Sequence, residues 1–209
     1  MKIVVLTASI GERRRGLYTP SKVNSAVEYV AFCDRPVNHK IWKTIRVDRD
    51  PDVDPVRQAK EFKVLADKFI SADASIWIDR HCRLMCDPVK AFDQFDEDVG
   101  VVRHYRRDIF KEGRACRERK KDTPELIHRT VDRFRLEGWK PGSGLFYGGF
   151  MMRRHSPEVE RFNRLWWNYI ESGSVRDQLS LPVAIERSGV SVHKFHNRSR
   201  NGFFNIRGK

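Results

Sequence analysis

The chain alternates between two hydrophobic patterns. Short, almost unbroken apolar runs predict strands at residues 2–7, Glu28 to Asp34, Trp42 to Val47, Ser75 to Asp79, Val99 to Val102, Leu145 to Arg154 and Val190 to His196. Between them, apolar residues return at three- and four-residue intervals. Val56, Ala59, Phe62 or Lys63, Val64, Leu65 and Phe69 make one helical face, entered through Asp54-Pro55 as N-cap and first-turn proline. Asp87-Pro88 opens a second helix that runs to Phe95. Ser156-Pro157 opens a third, whose Phe162, Leu165, Trp166, Tyr169 and Ile170 read as core rather than as a stacking platform. Strand and helix in alternation predict one α/β domain with a mixed, mostly parallel sheet flanked by helices. Residues 104–140 break that rhythm. Two basic helical segments, divided near Asp122-Thr123-Pro124, read there as a substrate-facing insertion, with Leu126, Ile127, Val131 and Phe134 turned inward on the second.

The strand ends carry the candidate chemistry. Ser75-Ile76-Trp77-Ile78 stops on Asp79, which delivers a carboxylate to the edge of the sheet where open α/β folds bind ligands; an ordinary turn cap is the alternative. Asp34 ends the Glu28 strand on the same rim, placed for a hydrogen bond to a base or ribose. Thr7 and Ala8 lead into a small polar loop where a nucleotide has room. Arg57, Lys60 and Lys63 repeat every three residues along one helix side, open to two readings: a diphosphate contact or a solvated face. Gly148-Gly149 marks a bend or the close approach of a ligand to the backbone. Asp177 stands where a loop enters a helix, as a general base or a cap.

Composition narrows the setting. At 209 residues and 40% hydrophobic the chain suits a single core, and no apolar run nears the about 18 residues of a membrane span. The first residues read as a strand rather than a signal peptide, and four scattered cysteines fit a reducing, cytoplasmic compartment. His81, Cys82 and Cys86 are open to a zinc reading, but their spacing suits ordinary thiols better.

Charge changes the picture more. Forty-one Lys and Arg against 28 Asp and Glu leave +13, which implies a polyanionic partner unless it only keeps the surface solvated. The cations cluster at Arg13 to Arg15, through Arg106, Arg107, Arg114, Arg117 and Lys120, and in an acid-free tail with Arg198 and Arg200. Residues 1–196 therefore read as the domain and 197–209 as a basic arm.

Taken together, Asn24 to Asp34, Arg57-Gln58-Ala59-Lys60, the Asp79 strand, Gly144 to Gly149 and Arg176-Asp177-Gln178-Leu179-Ser180 resemble the glycosyltransferase-like family that includes plant mucilage-related proteins and many bacterial and viral members. The resemblance spans roughly residues 1–195 and lies in the order and spacing of these stretches. It implies the layout of GT-A enzymes, which move a sugar from a nucleoside diphosphate, here with a UDP-sugar as the expected donor. It further implies that Asp79 binds metal and donor, Asp34 the nucleoside and Lys60 the diphosphate, while Asp177 activates the acceptor or orients the sugar. Such enzymes present Asp-x-Asp, whereas this chain has Asp79-Arg80-His81. His81 then stands as the second ligand, or Arg80 shares the phosphate charge, and His196, ahead of His193, completes the shell of a divalent ion, manganese before magnesium.

The acceptor is argued from charge. Neutral glycans give three basic clusters nothing to bind, whereas duplex DNA does, and some viruses carry hydroxylated or hydroxymethylated pyrimidines that receive sugars. The leading expectation is a phage DNA-modifying glycosyltransferase, its basic helices and tail holding phosphates. The alternatives are a glycan or lipid-linked acceptor, a non-catalytic DNA-binding protein on the same scaffold and, behind these, a nuclease.

Overall fold

The computed structural model of the protein describes residues 1–11, 16–197 and 200–206, apart from the side chains of 200 and 201. Strands β1 (Ile3–Ser9), β2 (Glu28–Cys33) and β3 (Lys43–Arg46) come first. Asp54 then caps α1 (Pro55–Val64), accepting the Val56 and Arg57 N–H groups at 2.9 and 3.0 Å, while Pro55 takes a first-turn position that needs no N–H. The helix stops at Leu65 and a separate turn, α2 (Ala66–Phe69), carries the chain into β4 (Ala74–Ile78). After Asp79 come β5 (Cys82–Leu84), absent from the sequence pattern, and α3 (Pro88–Phe92), capped by Asp87 and shorter than expected. β6 (Val99–Val102), α4 (Ile109–Glu118), α5 (Pro124–Leu136) and β7 (Phe150–Arg154) follow. The chain continues through α6 (Pro157–Glu171), α7 (Asp177–Ser188), β8 (Val192–Phe195), α8 (Arg200–Phe203) and β9 (Phe204–Ile206).

Seven strands form one sheet in the order β3-β2-β1-β4-β7-β6-β8. β7 runs antiparallel to β4 and β6, and the other pairings are parallel, so the expected mixed, mostly parallel sheet is the one that forms. Helices cover both faces. Val4, Leu6 and Ala8 of β1 enter one core cluster with α1, α6 and α7, while Ile3 and Val5 enter the other, the two-residue alternation of a strand buried on both sides. The aromatic stripe of α6 is core: Phe162, Trp166 and Ile170 have no exposed surface.

The sequence places a strand over Leu145 to Arg154, but only the part from Phe150 pairs as β7. The first half bends, with Phe146 bridging to Arg103. The basic insertion is packed onto the domain: Cys116 of α4, Ile127 and Val131 of α5 and Leu179 of α7 share a small core. Gly113 makes that contact possible, since a Cβ there would lie 2.8 Å from a Val131 methyl. Among the described residues, no helix is long and apolar enough to cross a membrane.

The C-terminal segment, expected as a basic arm, is docked on the domain over its described residues. β9 pairs antiparallel with β5 in a separate two-stranded sheet, Cys82 opposite Ile206 and Leu84 opposite Phe204. Phe203 and Phe204 stack on Phe150 with ring centroids 5.2 and 5.4 Å apart, and Phe204 is fully buried. The reason is that the pair of aromatics outweighs the surrounding cations: their burial ties the segment to the core. Phe204→Ala should therefore lower the unfolding free energy by about 3–5 kcal/mol in urea titrations; no measurable change would mean that this segment is not tied to the core.

Candidate active site

A cleft of about 600 Å³ opens where Ala8 of β1 and Asp79, just past β4, reach the C-terminal edge of the sheet. Val56, Ala59 and Lys60 of α1 form one side. The Gly148-Gly149 bend and the start of α7, with Asp177 and Gln178, form the back, while α4 brings Glu112, Ala115, Cys116 and, at its C-terminal cap, Arg119. Phe204 and Ile206 of β9 close the wall behind Arg80 and His81. Asp79 and Asp177, from distant parts of the chain, thus line one cavity.

A single ammonium joins them. Lys63, with no exposed side-chain surface, donates to the Gly148 carbonyl and forms an ion pair with Asp177 Oδ2, and its Nζ stands 3.8 Å from Asp79 Oδ1. Lys60 Nζ reaches the same Asp177 oxygen at 3.2 Å from the cleft side. Trp77 Nε1 donates to Asp79 Oδ1 at 2.7 Å, the Asp79 N–H donates to the Gly149 carbonyl at 2.9 Å, and Trp166 Nε1 donates to the Asp177 carbonyl at 3.2 Å. The two glycines are required by this packing. A Cβ on Gly148 would meet Gln178 at 2.8 Å and Asp177 at 3.2 Å, and one on Gly149 would meet Cys82 at 3.2 Å and Asp79 at 3.5 Å. Gln178 and Asp177 crowd Gly148, and Cys82 crowds Gly149, while both glycines also line the cleft.

The electrostatics follow from this crowding. Burial alone raises the Asp177 carboxyl, but Lys60, Lys63 and Arg176 outweigh it and hold the group below its ordinary 3.8. Asp79 behaves alike: burial raises it, and Lys60, Lys63, His81 and the Trp77 hydrogen bond carry it well below the usual carboxylate range. Burial pushes the Lys63 ammonium down. It pushes on Lys60 too, but there the attraction of Asp177 and Asp79 exceeds the burial penalty and the pKa rises. A carboxylate held this way accepts hydrogen bonds at neutral pH and is a poor proton carrier.

Not every expected contact gathers here. Ala8, Lys60, Gly148, Gly149 and His81 line the cleft with the two acids. Arg57 does not: its guanidinium donates to the carbonyls of Ile170, Glu171 and Gly173, closing the C-terminal end of α6, so it is spent on structure rather than on a diphosphate. Thr7 is buried inside β1 instead of lining the loop. Asp34 accepts the Gly11 N–H at 2.8 Å and so shapes the loop after β1. Of the cations expected to grip DNA, Arg106 lines the cleft but pairs with Glu112 at 2.7 Å, and Arg117 meets His128 at 3.0 Å. Arg107, Arg114 and Lys120 are exposed; Arg198 and the side chain of Arg200, like Arg13 to Arg15, lie outside the described residues.

The expected metal shell of Asp79, His81 and His196 does not assemble. Among the described residues no three His, Cys, Asp or Glu side chains gather in a metal-holding group, and His196 is not among the residues lining the cleft. His193 pairs instead with Glu97 at 3.2 Å. Asp79 Oδ1 already accepts from Trp77 and faces the Lys63 ammonium, so that oxygen and its side of the carboxylate are taken. These residues do not fit a divalent ion. The zinc reading falls on the same ground, and Cys82 and Cys86 are buried and not joined in a disulfide.

Arg176 is the site residue that sequence reasoning passed over, and Lys63, read as a diphosphate contact, a solvated cation or an alternative to Phe62 on the core face, is the one whose burial the sequence left open. The signal for Lys63 was its place inside Phe62-Lys63-Val64-Leu65, a cation with apolar neighbours on both sides in a helix entering the core.

A mixed α/β sheet with cations and three carboxylates gathered in one cleft at its C-terminal edge defines an α/β domain with a charged cleft where open sheets of this kind bind ligands. The chain belongs to the TOD1/MUCI70 glycosyltransferase-like domain family, whose sequence profile matches residues 22–207. It is 29% identical over 195 residues to the probable hexosyltransferase MUCI70 of Arabidopsis thaliana, covering 87% of this chain and 31% of that protein. The chain therefore spans about a third of the length of that curated relative. Among solved structures it is similar to mouse xyloside xylosyltransferase 1 in its apo form, with 13% identity and a TM-score of 0.48 over 93% of this chain and 84% of that one.

The buried cluster has a pH signature. Because the folded Asp177 carboxyl lies below its ordinary 3.8, the stability it confers is complete above that value and is lost as pH falls through the folded value. Asp177→Asn should cost about 3–5 kcal/mol at pH 7, with the gap to the unsubstituted protein closing below about pH 4 in urea titrations. A gap independent of pH would mean that the carboxylate is not held ionised by the lysines.

Proposed function

We propose that this domain transfers a glycosyl group from a nucleoside diphosphate sugar to a hydroxyl acceptor. The observation that carries the reading is the meeting of Asp79 and Asp177 in one cleft lined by Lys60, Arg119, Lys121 and Arg176. In the reaction the bond from the anomeric carbon to the diphosphate oxygen breaks with its electron pair leaving on that oxygen. The acceptor oxygen bonds to the anomeric carbon, and its proton passes to solvent. The loop after β1, shaped by Asp34 through Gly11, takes the nucleoside; Lys60 and the arginines take the growing charge of the leaving diphosphate. Asp79 and Asp177, fixed and ionised, accept hydrogen bonds from donor hydroxyls and orient the sugar. This favours the sugar-orienting role for Asp177 over proton abstraction. The family supports transfer chemistry, and the buried thiols suit a reducing compartment.

The acceptor reading rests on charge. With +13 overall and Arg107, Arg114 and Lys120 exposed on and beside α4, the surface suits a hydroxyl carried on a polyanion, with duplex DNA bearing hydroxymethylated pyrimidines the first candidate and UDP-sugars the first donors. Incubation with a panel of sugar nucleotides and either such DNA or neutral glycans, followed by mass measurement of digested nucleosides and saccharides, tests both levels. Sugar added to the nucleosides is the expected result, with Asp79→Asn and Asp177→Asn each slowing turnover by about 100-fold or more. Addition to saccharide only would replace the acceptor and keep the transferase; no transfer from any sugar nucleotide would remove both.

A further inference from the structure

Resting on the sugar-nucleotide reading, we infer that this site binds its nucleoside diphosphate without a divalent metal, the protein's own lysines and arginines supplying the positive charge. Three observations converge. Lys63 occupies the space beside Asp79 where a metal would be ligated, fixed by Asp177 and the Gly148 carbonyl and excluded from solvent. Second, Asp79, Asp177, Lys60 and Lys63 balance in formal charge, so a dication added to this buried group would bring uncompensated positive charge beside two ammonium groups, with one carboxylate oxygen already accepting from Trp77. Third, cations outnumber acids on the cleft wall: Lys60, Arg80, Arg106, Arg119, Lys121 and Arg176 line it against three carboxylates, Asp79, Glu112 and Asp177.

The surplus is arranged to meet a bound anion. Arg106 is used up by Glu112, and Lys60 leans on Asp177. Arg119 and Lys121, at and just past the C-terminal end of α4, and Arg176, at the N-terminal end of α7, face the same cavity. The Arg176 Nε–H is buried without a hydrogen-bond partner, a donor left over by the fold. A diphosphate carries two or three negative charges, and these side chains match that without help. Lys60 is the residue of the central group that both touches the acids and lines the cleft, so it is the contact on which ligand affinity should depend most.

Isothermal titration of the whole chain with UDP and with GDP, once in EDTA after metal stripping and once with manganese, decides the matter without an activity assay. The expected result is a dissociation constant that changes by less than about threefold between the two buffers, with Lys60→Met weakening binding by about tenfold or more in both and Lys60→Arg recovering most of it. Tightening by manganese of more than about tenfold would overturn the inference while leaving the nucleotide reading in place. No binding of either nucleotide in either buffer would remove both. Should the Lys60 variants fail to fold, the difference between the two buffers for the unsubstituted protein is sufficient by itself.

Discussion

The Lys63 ammonium is the point on which the molecule turns. It has no contact with water, and burying a cation is tolerated only where carboxylates and carbonyls replace its hydration shell. Those partners come from three separate stretches: Asp177 from α7, the Gly148 carbonyl from the bend before β7, and Asp79 from the end of β4. The rings of Trp77 and Trp166 flank it, their centroids 5.9 and 5.6 Å from Nζ, and add the attraction of aromatic faces for a cation. Removing any one partner leaves a charge stranded in the core. The ion pair therefore fixes where α1, β4, β7 and α7 sit relative to one another, and in doing so it builds the cleft.

That coupling explains features that look unrelated in the chain. Gly148 has no room for a side chain because Gln178 and Asp177 lie against it, Gly149 is crowded by Cys82, and the strand they precede starts at Phe150. Arg153, next along β7 and also fully buried, donates to the carbonyls of Lys63 and Val64 and to Asn163, so it ends α1 at the place that aims Lys63 inward. Arg57 does the matching work at the other end of α1 by holding the last carbonyls of α6. Three of the chain's many cations are thus bound up in setting one helix, and charge counts taken from composition overstate what is free to meet a partner.

The sheet was legible in the sequence because its signals are local. Apolar runs ending on Asp34 and Asp79, and the Asp54-Pro55, Asp87-Pro88 and Ser156-Pro157 caps, each specify an element without help from elsewhere. Asp79 and Asp177 could be named as partners because both close or open an element at the same sheet edge. Lys63 was readable either on the core face in place of Phe62 or among the side cations, and nothing local decided between the two, since its burial depends on acids 16 and 114 positions away and a three-residue cation spacing does not separate a solvated face from a buried pair. The tail failed for a related reason: Arg198 and Arg200 dominate its composition, while its placement is decided by Phe203 and Phe204 finding Phe150.

The insertion acquires a different meaning once its packing is seen. Glu112 and Cys116 of α4 stand beside Arg176, and burial lowers the Arg176 guanidinium pKa less than Asp177, Cys116 and Glu112 together raise it. Arg176 immediately precedes Asp177, so the residue that begins α7 answers to the insertion on one side and to the lysine cluster on the other. The N-terminal end of α7 has no side-chain cap, and its partial positive charge is met by Asp177 in the first turn. A ligand that drew Arg176 toward it would at once relieve Asp177 of one cation and leave Glu112 short of another. The wall formed by α4 and the floor formed by β4 and α7 are therefore one electrostatic unit, and a helix pair that the sequence sets apart as an addition is part of the cleft's charge balance.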